Sequence, residues 1–167
     1  VQTSPGSLGC TLSHIAVLEM AKAQGWPYVL VLEDDFCFLG EAAEVRLRLA
    51  RAVAVPFDVI CLAYVHADRR GFEKVTEDLA HAWFLQTTSG YLVHSRFYDP
   101  LLRTFQESLQ GLVRTGRAPE FALDRYWFRL QESHKFLCFT PRLGKQAPGF
   151  SDIEGRDVDY SRIEPPT

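Results

Sequence analysis

The sequence predicts an α/β domain with a mostly parallel central sheet flanked by helices. Two short apolar runs rich in β-formers, YVLVL (Tyr28–Leu32) and FDVICLA (Phe57–Ala63), and the helical stretches around them carry this expectation. Continuous apolar runs of this length suit strands buried on both faces. The order helix, strand, helix, strand is that of a parallel α/β sheet. At 167 residues, with 47% hydrophobic and 13% aromatic content, the chain can bury a sizeable core without disulfide or metal staples.

The first helix is expected over Ser7 to Gly25. Ser7 would cap it, Leu8, Leu12, Ile15 and Ala16 would form its apolar stripe, and Gly25 before Trp26-Pro27 would stop it. A second helix is expected over Glu41 to Ala54, with Arg46, Arg48 and Arg51 among its exposed positions. From Tyr64 to His81 charge rises and apolar periodicity fades, which predicts a long loop or a short β excursion over the sheet. AWFLQTTSGYLVHS (Ala82–Ser95) reads as two strand segments around Thr87-Thr88-Ser89-Gly90, followed by helices from about Tyr98 to Leu112 and Phe121 to Gln131. HKFLCFTP, ending at Pro141, reads as the last strand. The polar, Gly- and Pro-rich remainder is either a frayed tail or a loop that closes a site. This gives one domain over residues 1–153 and a polar tail over 154–167.

Composition excludes several classes. With 18 Lys and Arg against 21 Asp and Glu, no basic excess exists to hold nucleic acid by its phosphates. No run of about 18 apolar residues spans a membrane, and the first residues lack a signal-peptide pattern. Cys10, Cys37, Cys61 and Cys138 include no C-x-x-C spacing. Cys37 and Cys61 sit in apolar runs, where a thiol behaves as a small hydrophobe. Unpaired thiols in a reducing, cytoplasmic setting are the expectation. Peripheral membrane contact fits only a lipid-linked substrate, since no amphipathic basic helix announces it.

The unusual feature is Glu33-Asp34-Asp35, three adjacent carboxylates between YVLVL and the apolar run Phe36–Leu39. At the carboxyl end of a strand they would point into the crevice where α/β sheets bind ligands. Carboxylate oxygens are hard ligands suited to Mg²⁺ or Mn²⁺, and such an ion could neutralise a diphosphate leaving group. The same residues also read as a helix cap without metal, or as a strand-end aspartate nucleophile of a Mg²⁺-dependent phosphohydrolase.

Other segments bear on that choice. GCTLSH (Gly9–His14) opens a helix, where free backbone N–H groups can receive an anion; His14 alone is either a structural histidine or a direct participant. TTSGYLV (Thr87–Val93) is either a plain turn or a place where a sugar approaches the backbone. In FALDRYW (Phe121–Trp127), Asp124 is either the salt-bridge partner of Arg125 or a general base readied by partial desolvation.

Taken in order, GCTLSH, YVLVLEDDF, TTSGYLV, LDRYW and PRLGKQAPGFSDI resemble glycosyltransferase family 25, which includes lipooligosaccharide-biosynthesis and procollagen galactosyltransferases. The resemblance implies a GT-A-like nucleotide-sugar-binding fold, a divalent cation (typically Mn²⁺, with Mg²⁺ the other candidate), and a UDP-sugar donor, most often UDP-galactose. The acceptor would be a glycan, a lipid-linked sugar or another hydroxylated molecule. Glu33, Asp34 and Asp35 match the family's metal and nucleotide motif, with Asp34 and Asp35 holding cation and donor. Asp124, or failing it Asp35, would be the general base of an inverting displacement. Ser13 and His14 would line the donor site, Thr88, Ser89 and Gly90 the sugar pocket, and Lys145, Gln146 and Ser151 a lid over the diphosphate. Family members usually carry an extra strand and helix before GCTLSH, and Ser7 stands where an acidic residue is common. Either the sequence is a fragment of a longer chain, or the protein is a shortened member whose uridine pocket is incomplete. A catalytically degenerate sugar- or nucleotide-binding domain of the same fold is the alternative.

Overall fold

The computed structural model describes residues 5–66, 68–151 and 153–159. The chain opens with helix α1 (Pro5–Ala23), then strand β1 (Tyr28–Leu32), β2 (Phe36–Phe38) and helix α2 (Ala42–Ala52). Strand β3 (Val59–Cys61) leads into the short strands β4 (Val65–His66), β5 (Glu73–Lys74), β6 (Leu79–His81) and β7 (Leu85–Gln86). Strand β8 (Gly90–His94) passes through a 3-10 turn into α3 (Tyr98–Thr115). Three single-turn helices follow, α4 (Ala118–Phe121), α5 (Leu123–Tyr126) and α6 (Phe128–Gln131). Strands β9 (Phe136–Phe139), β10 (Gly144–Gln146), β11 (Gly149–Ser151) and β12 (Arg156–Val158) complete the order.

The central sheet has six strands in the order β1-β8-β3-β9-β6-β5. The expectation of a mostly parallel sheet is corrected here: only β3 and β9 pair in parallel, and every other ladder of this sheet is antiparallel. The physical reason is an insertion. β1 and β3 point the same way, as a βαβ reading requires, but β8 returns between them and is hydrogen-bonded to both. The carboxyl ends of β1, β3 and β9 therefore share one end of the sheet with the amino end of β8.

Alternation along the central strands splits the core into two layers. Val59, Cys61, Tyr91, Val93, Phe136 and Cys138 face α1 and α3. Ile60, Leu62, Leu92, Leu137 and Phe139 face Val45 and Ala52 of α2. β1 lies at the sheet edge and is buried on one face only, correcting the two-faced reading of YVLVL. Val29 and Val31 point into the core while Tyr28, Leu30 and Leu32 are exposed. Beside them Leu49 and Ala50 of α2, with Val53 just after it, border a shallow apolar groove.

Several local expectations shift for tertiary reasons. Arg48 is buried, not exposed: its Nε donates to Asp78 Oδ1 at 2.9 Å and its guanidinium lies over the Phe139 ring. The helix expected over Phe121–Gln131 breaks at Ala122 and Trp127 into separate turns. Strand β9 is not the last, because Leu143 packs in the core and β10 pairs with β2. The boundary anticipated at 153/154 falls inside the β11–β12 hairpin. The described cysteines are all unpaired, yet Cys37 is exposed because β2 belongs to a two-stranded ribbon and not to the core. Among the described residues, no helix is long and apolar enough to cross a membrane.

Candidate functional site

α1 delivers the first residues. Its buried stripe is Ser7, Thr11, His14, Ile15, Leu18 and Ala21, at helical spacing. The expected stripe of Leu8, Leu12, Ile15 and Ala16 is corrected, since Leu12 and Ala16 face solvent. The amino-terminal half of this stripe is polar, so the helix presents chemistry to the sheet end and not only packing. Helix α1 begins by Pro5, which puts Gly9–His14 inside it with backbone N–H groups already used; anion capture by GCTLSH at a helix start is therefore excluded. Ser13 is exposed, its hydroxyl donating back to Gly9 O at 2.9 Å, and takes no part in the cluster.

The acidic triplet forms the tight turn between β1 and β2, so its side chains diverge. Glu33 turns inward, Asp34 is exposed, and Asp35 turns toward β10. The helix-cap reading fails, because β2 and a further loop separate the triplet from α2, whose N-cap residue is Glu41. Glu33 is fixed from three sides. Its N–H donates to Ser89 O at 2.8 Å, and its Oε1 lies 3.1 Å from His14 Nε2 and accepts from Thr88 Oγ1 at 3.0 Å. His14 is 4% exposed, and its Nδ1 lies 2.7 Å from the Tyr91 hydroxyl. Tyr91–His14–Glu33–Thr88 is thus one hydrogen-bonded chain across α1, the acidic turn and β8.

Asp35 is half-buried, and Gln146 Nε2 donates to its Oδ2 at 3.1 Å. Burial foremost, with Glu33 and Asp34 adding repulsion, pushes its carboxyl above the usual range. Its Oδ1 is buried without a hydrogen-bond partner among the described residues. An orphaned buried carboxylate oxygen costs free energy unless a donor or cation reaches it, so this oxygen of Asp35 is suited to a hard cation, while Asp34 diverges into solvent beside it. Gln146 is already placed by β10 and also accepts from Thr87 Oγ1 at 3.0 Å. These bonds and the pairing of β10 with β2 hold it beside Asp35. Lys145 lies opposite Cys37 in the same ribbon. Ser151 sits in the separate β11–β12 hairpin, its hydroxyl accepting from Glu154 N–H, and makes no described contact with the cluster.

Thr88 and Ser89 are buried, with Ser89 Oγ unpartnered among the described residues. Gly90 serves packing: a Cβ there would fall 2.3 Å from a carbon of the Phe36 ring. Thr87 and Phe84 hold positive φ angles of 78° and 58°, in a region that bulky and β-branched side chains rarely adopt. Such strain, on the order of 1–3 kcal/mol, persists where surrounding contacts over-determine the backbone. Here they do: Trp127 Nε1 and Gln131 Nε2 both donate to Leu85 O, and Gln131 Oε1 accepts from Leu85 N.

The strained strap is also what holds Asp124. Burial raises its carboxyl above the usual range, opposed by hydrogen bonds from the Gln86 side chain and the Thr87 N–H and by the positive field of Arg125; Glu33 adds repulsion. The described contacts that fix the carboxylate are therefore Gln86 and Thr87. Cys10, Tyr91, Gln86 and Thr87 are site neighbours that sequence reasoning did not single out. The Cys10–His14 spacing of one helical turn was the readable signal for the first; the others required the fold.

These elements define an α/β domain whose acidic, hydrogen-bonded cluster sits at one end of the sheet. A family model described as glycosyltransferase family 25 (LPS biosynthesis protein) matches residues 2–80. Over that span the chain is similar to this family, and the activity the family implies is glycosyl transfer to an acceptor from a sugar donor. The match contains α1, the acidic turn and β3, whereas Thr88, Asp124 and Gln146 lie beyond it. No curated protein matches the sequence.

Proposed function

We propose that the protein is a metal-dependent inverting glycosyltransferase that moves galactose from UDP-galactose to a hydroxyl of a glycan, lipid-linked sugar or other acceptor. The observation that carries this reading is the meeting of Glu33, Thr88 and Asp124, from three distant segments, at the end of the sheet to which His14 also turns.

Asp124 is the general base. A carboxylate raised by desolvation takes a proton from an acceptor hydroxyl more readily than one in water. Gln86 and Thr87 hold it in one orientation, and the hydroxyl it deprotonates attacks the anomeric carbon as UDP departs from the opposite face. Asp34 and Asp35 would hold the Mn²⁺ or Mg²⁺, which supplies charge stabilisation at the diphosphate. Thr88 and His14 keep Glu33 turned inward, which leaves its second oxygen for the donor.

Calorimetric titration of UDP-galactose and of UDP, each with Mn²⁺ and with EDTA, tests the reading on the native chain and on Asp35→Ala. Metal-dependent binding lost in Asp35→Ala, together with sugar transfer lost in Asp124→Asn, is the expected pair of results. Binding without transfer to any hydroxylated acceptor would favour the sugar-nucleotide-binding alternative. No binding under either condition would refute both.

A further inference from the structure

The reaction proposed above leaves Cys10 unused. Cys10 and His14 stand one turn apart on α1, and Glu33 reaches them from the turn after β1. The Cys10 sulfur, a His14 ring nitrogen and a Glu33 carboxylate oxygen all lie within 4.8 Å of one another, the one such convergence of three ligating groups among the described residues. Cys10 is half-buried and packs against the core cluster, and burial foremost, then the nearby charges of Glu33, Asp124 and Asp35, push its thiol up to about 12. No Lys or Arg is paired with Glu33 or Asp35 among the described residues. The same field that opposes a bare thiolate favours a cation beside it.

We propose that Cys10, His14 and Glu33 form a binding site for a divalent metal of borderline softness, of the Zn²⁺ class, through sulfur, imidazole nitrogen and carboxylate oxygen. A thiolate with an imidazole selects such an ion over Mg²⁺ or Mn²⁺, which prefer oxygen. Ligands on one tetrahedral zinc are about 3.5 Å apart, by the bond lengths of such sites. Side-chain rotation closing about 1 Å would complete the set. The second shell is in place. With the imidazole proton on Nδ1, donated to the Tyr91 oxygen 2.7 Å away, the Nε2 lone pair turns toward the metal. Binding needs that lone pair free of a proton and releases the Cys10 thiol proton to solvent. Three protein ligands leave a fourth position open.

The test is titration of the reduced chain with Co²⁺, read by the thiolate-to-cobalt charge-transfer band in the near ultraviolet, and then Zn²⁺ displacement. The native chain should bind one equivalent with that band, and Zn²⁺ should bleach it. Cys10→Ser should abolish the band, Cys37→Ser should leave it intact, and Tyr91→Phe should weaken binding about 10-fold. Glu33→Gln, which keeps the thiol, should weaken binding as well; it carries the test if melting curves show that Cys10→Ser does not fold. A native chain without the band, or a band that follows Cys37, would overturn the proposal.

Discussion

Replacing Gly144 by alanine probes the contact that locks the acidic turn onto β10. The Phe36 ring is wedged between two glycine backbones. A Cβ on Gly144 would fall 2.0 Å from Phe36 Cζ and 2.3 Å from Cε2, and a Cβ on Gly90 would fall 2.3 Å from Cε2. Carbon atoms in contact sit about 3.5–4.0 Å apart, so the ring must retreat by about 1.5 Å. One side of that retreat is closed by the Gly90 backbone, and the Phe38 ring lies 5.0 Å away. Overpacking of this kind costs about 1–3 kcal/mol, and a rigid backbone neighbour puts Gly144→Ala at the upper end. Phe36→Ala alone should cost about 2 kcal/mol, half the usual loss for a fully buried ring, because this ring is half-buried. In the Phe36→Ala background the methyl on residue 144 enters vacated space and should cost almost nothing. Urea unfolding of native, both single variants and the double variant at constant m-value gives the coupling directly. We expect the double variant to be more stable than the sum of the singles by at least about 1 kcal/mol. Additivity within about 0.5 kcal/mol would show that the ring and the glycine do not meet as described.

Asp124→Asn should lower transfer by about 10²–10⁴-fold, the usual contribution of a general base, while the melting temperature at neutral pH holds or rises. The sign follows from burial: a carboxyl raised in the folded state is stabilising below its ordinary range and loses that contribution as pH rises through the raised value. The native chain should therefore lose stability relative to Asp124→Asn as pH rises across that window, while its activity rises with the ionised form. A flat difference between the two melting profiles would contradict this. Arg48→Met should cost about 3–5 kcal/mol, because it leaves Asp78 buried without its main partner. The exposed Arg51 contact, 3.1 Å from the other oxygen of Asp78, does not compensate, and Arg51→Met should cost under about 1 kcal/mol by the same denaturation assay.

What the sequence determined by itself is local. The apolar run Tyr28–Leu32 became β1 with the expected bounds, Gly25 with φ of 66° ended the turn after α1, and the carboxylates followed the strand. These features depend on backbone preferences and on a period readable within about ten residues. The tertiary structure decided which strands are neighbours. β8 entered between β1 and β3, so a pattern that reads as βαβ became an antiparallel edge, and the outer face of YVLVL stayed open. It also decided which polar residues meet. His14, which the sequence leaves as either structural or participating, is placed on the buried stripe of α1 only by meeting Tyr91 and Glu33. Gln146 lies 111 residues from the Asp35 it bonds, and Asp124 finds Gln86 and Thr87 only because Trp127 and Gln131 pin Leu85. Contacts of that kind carry no signature in a single sequence, because the free energy that selects them is set by the whole packed core and not by any segment of it.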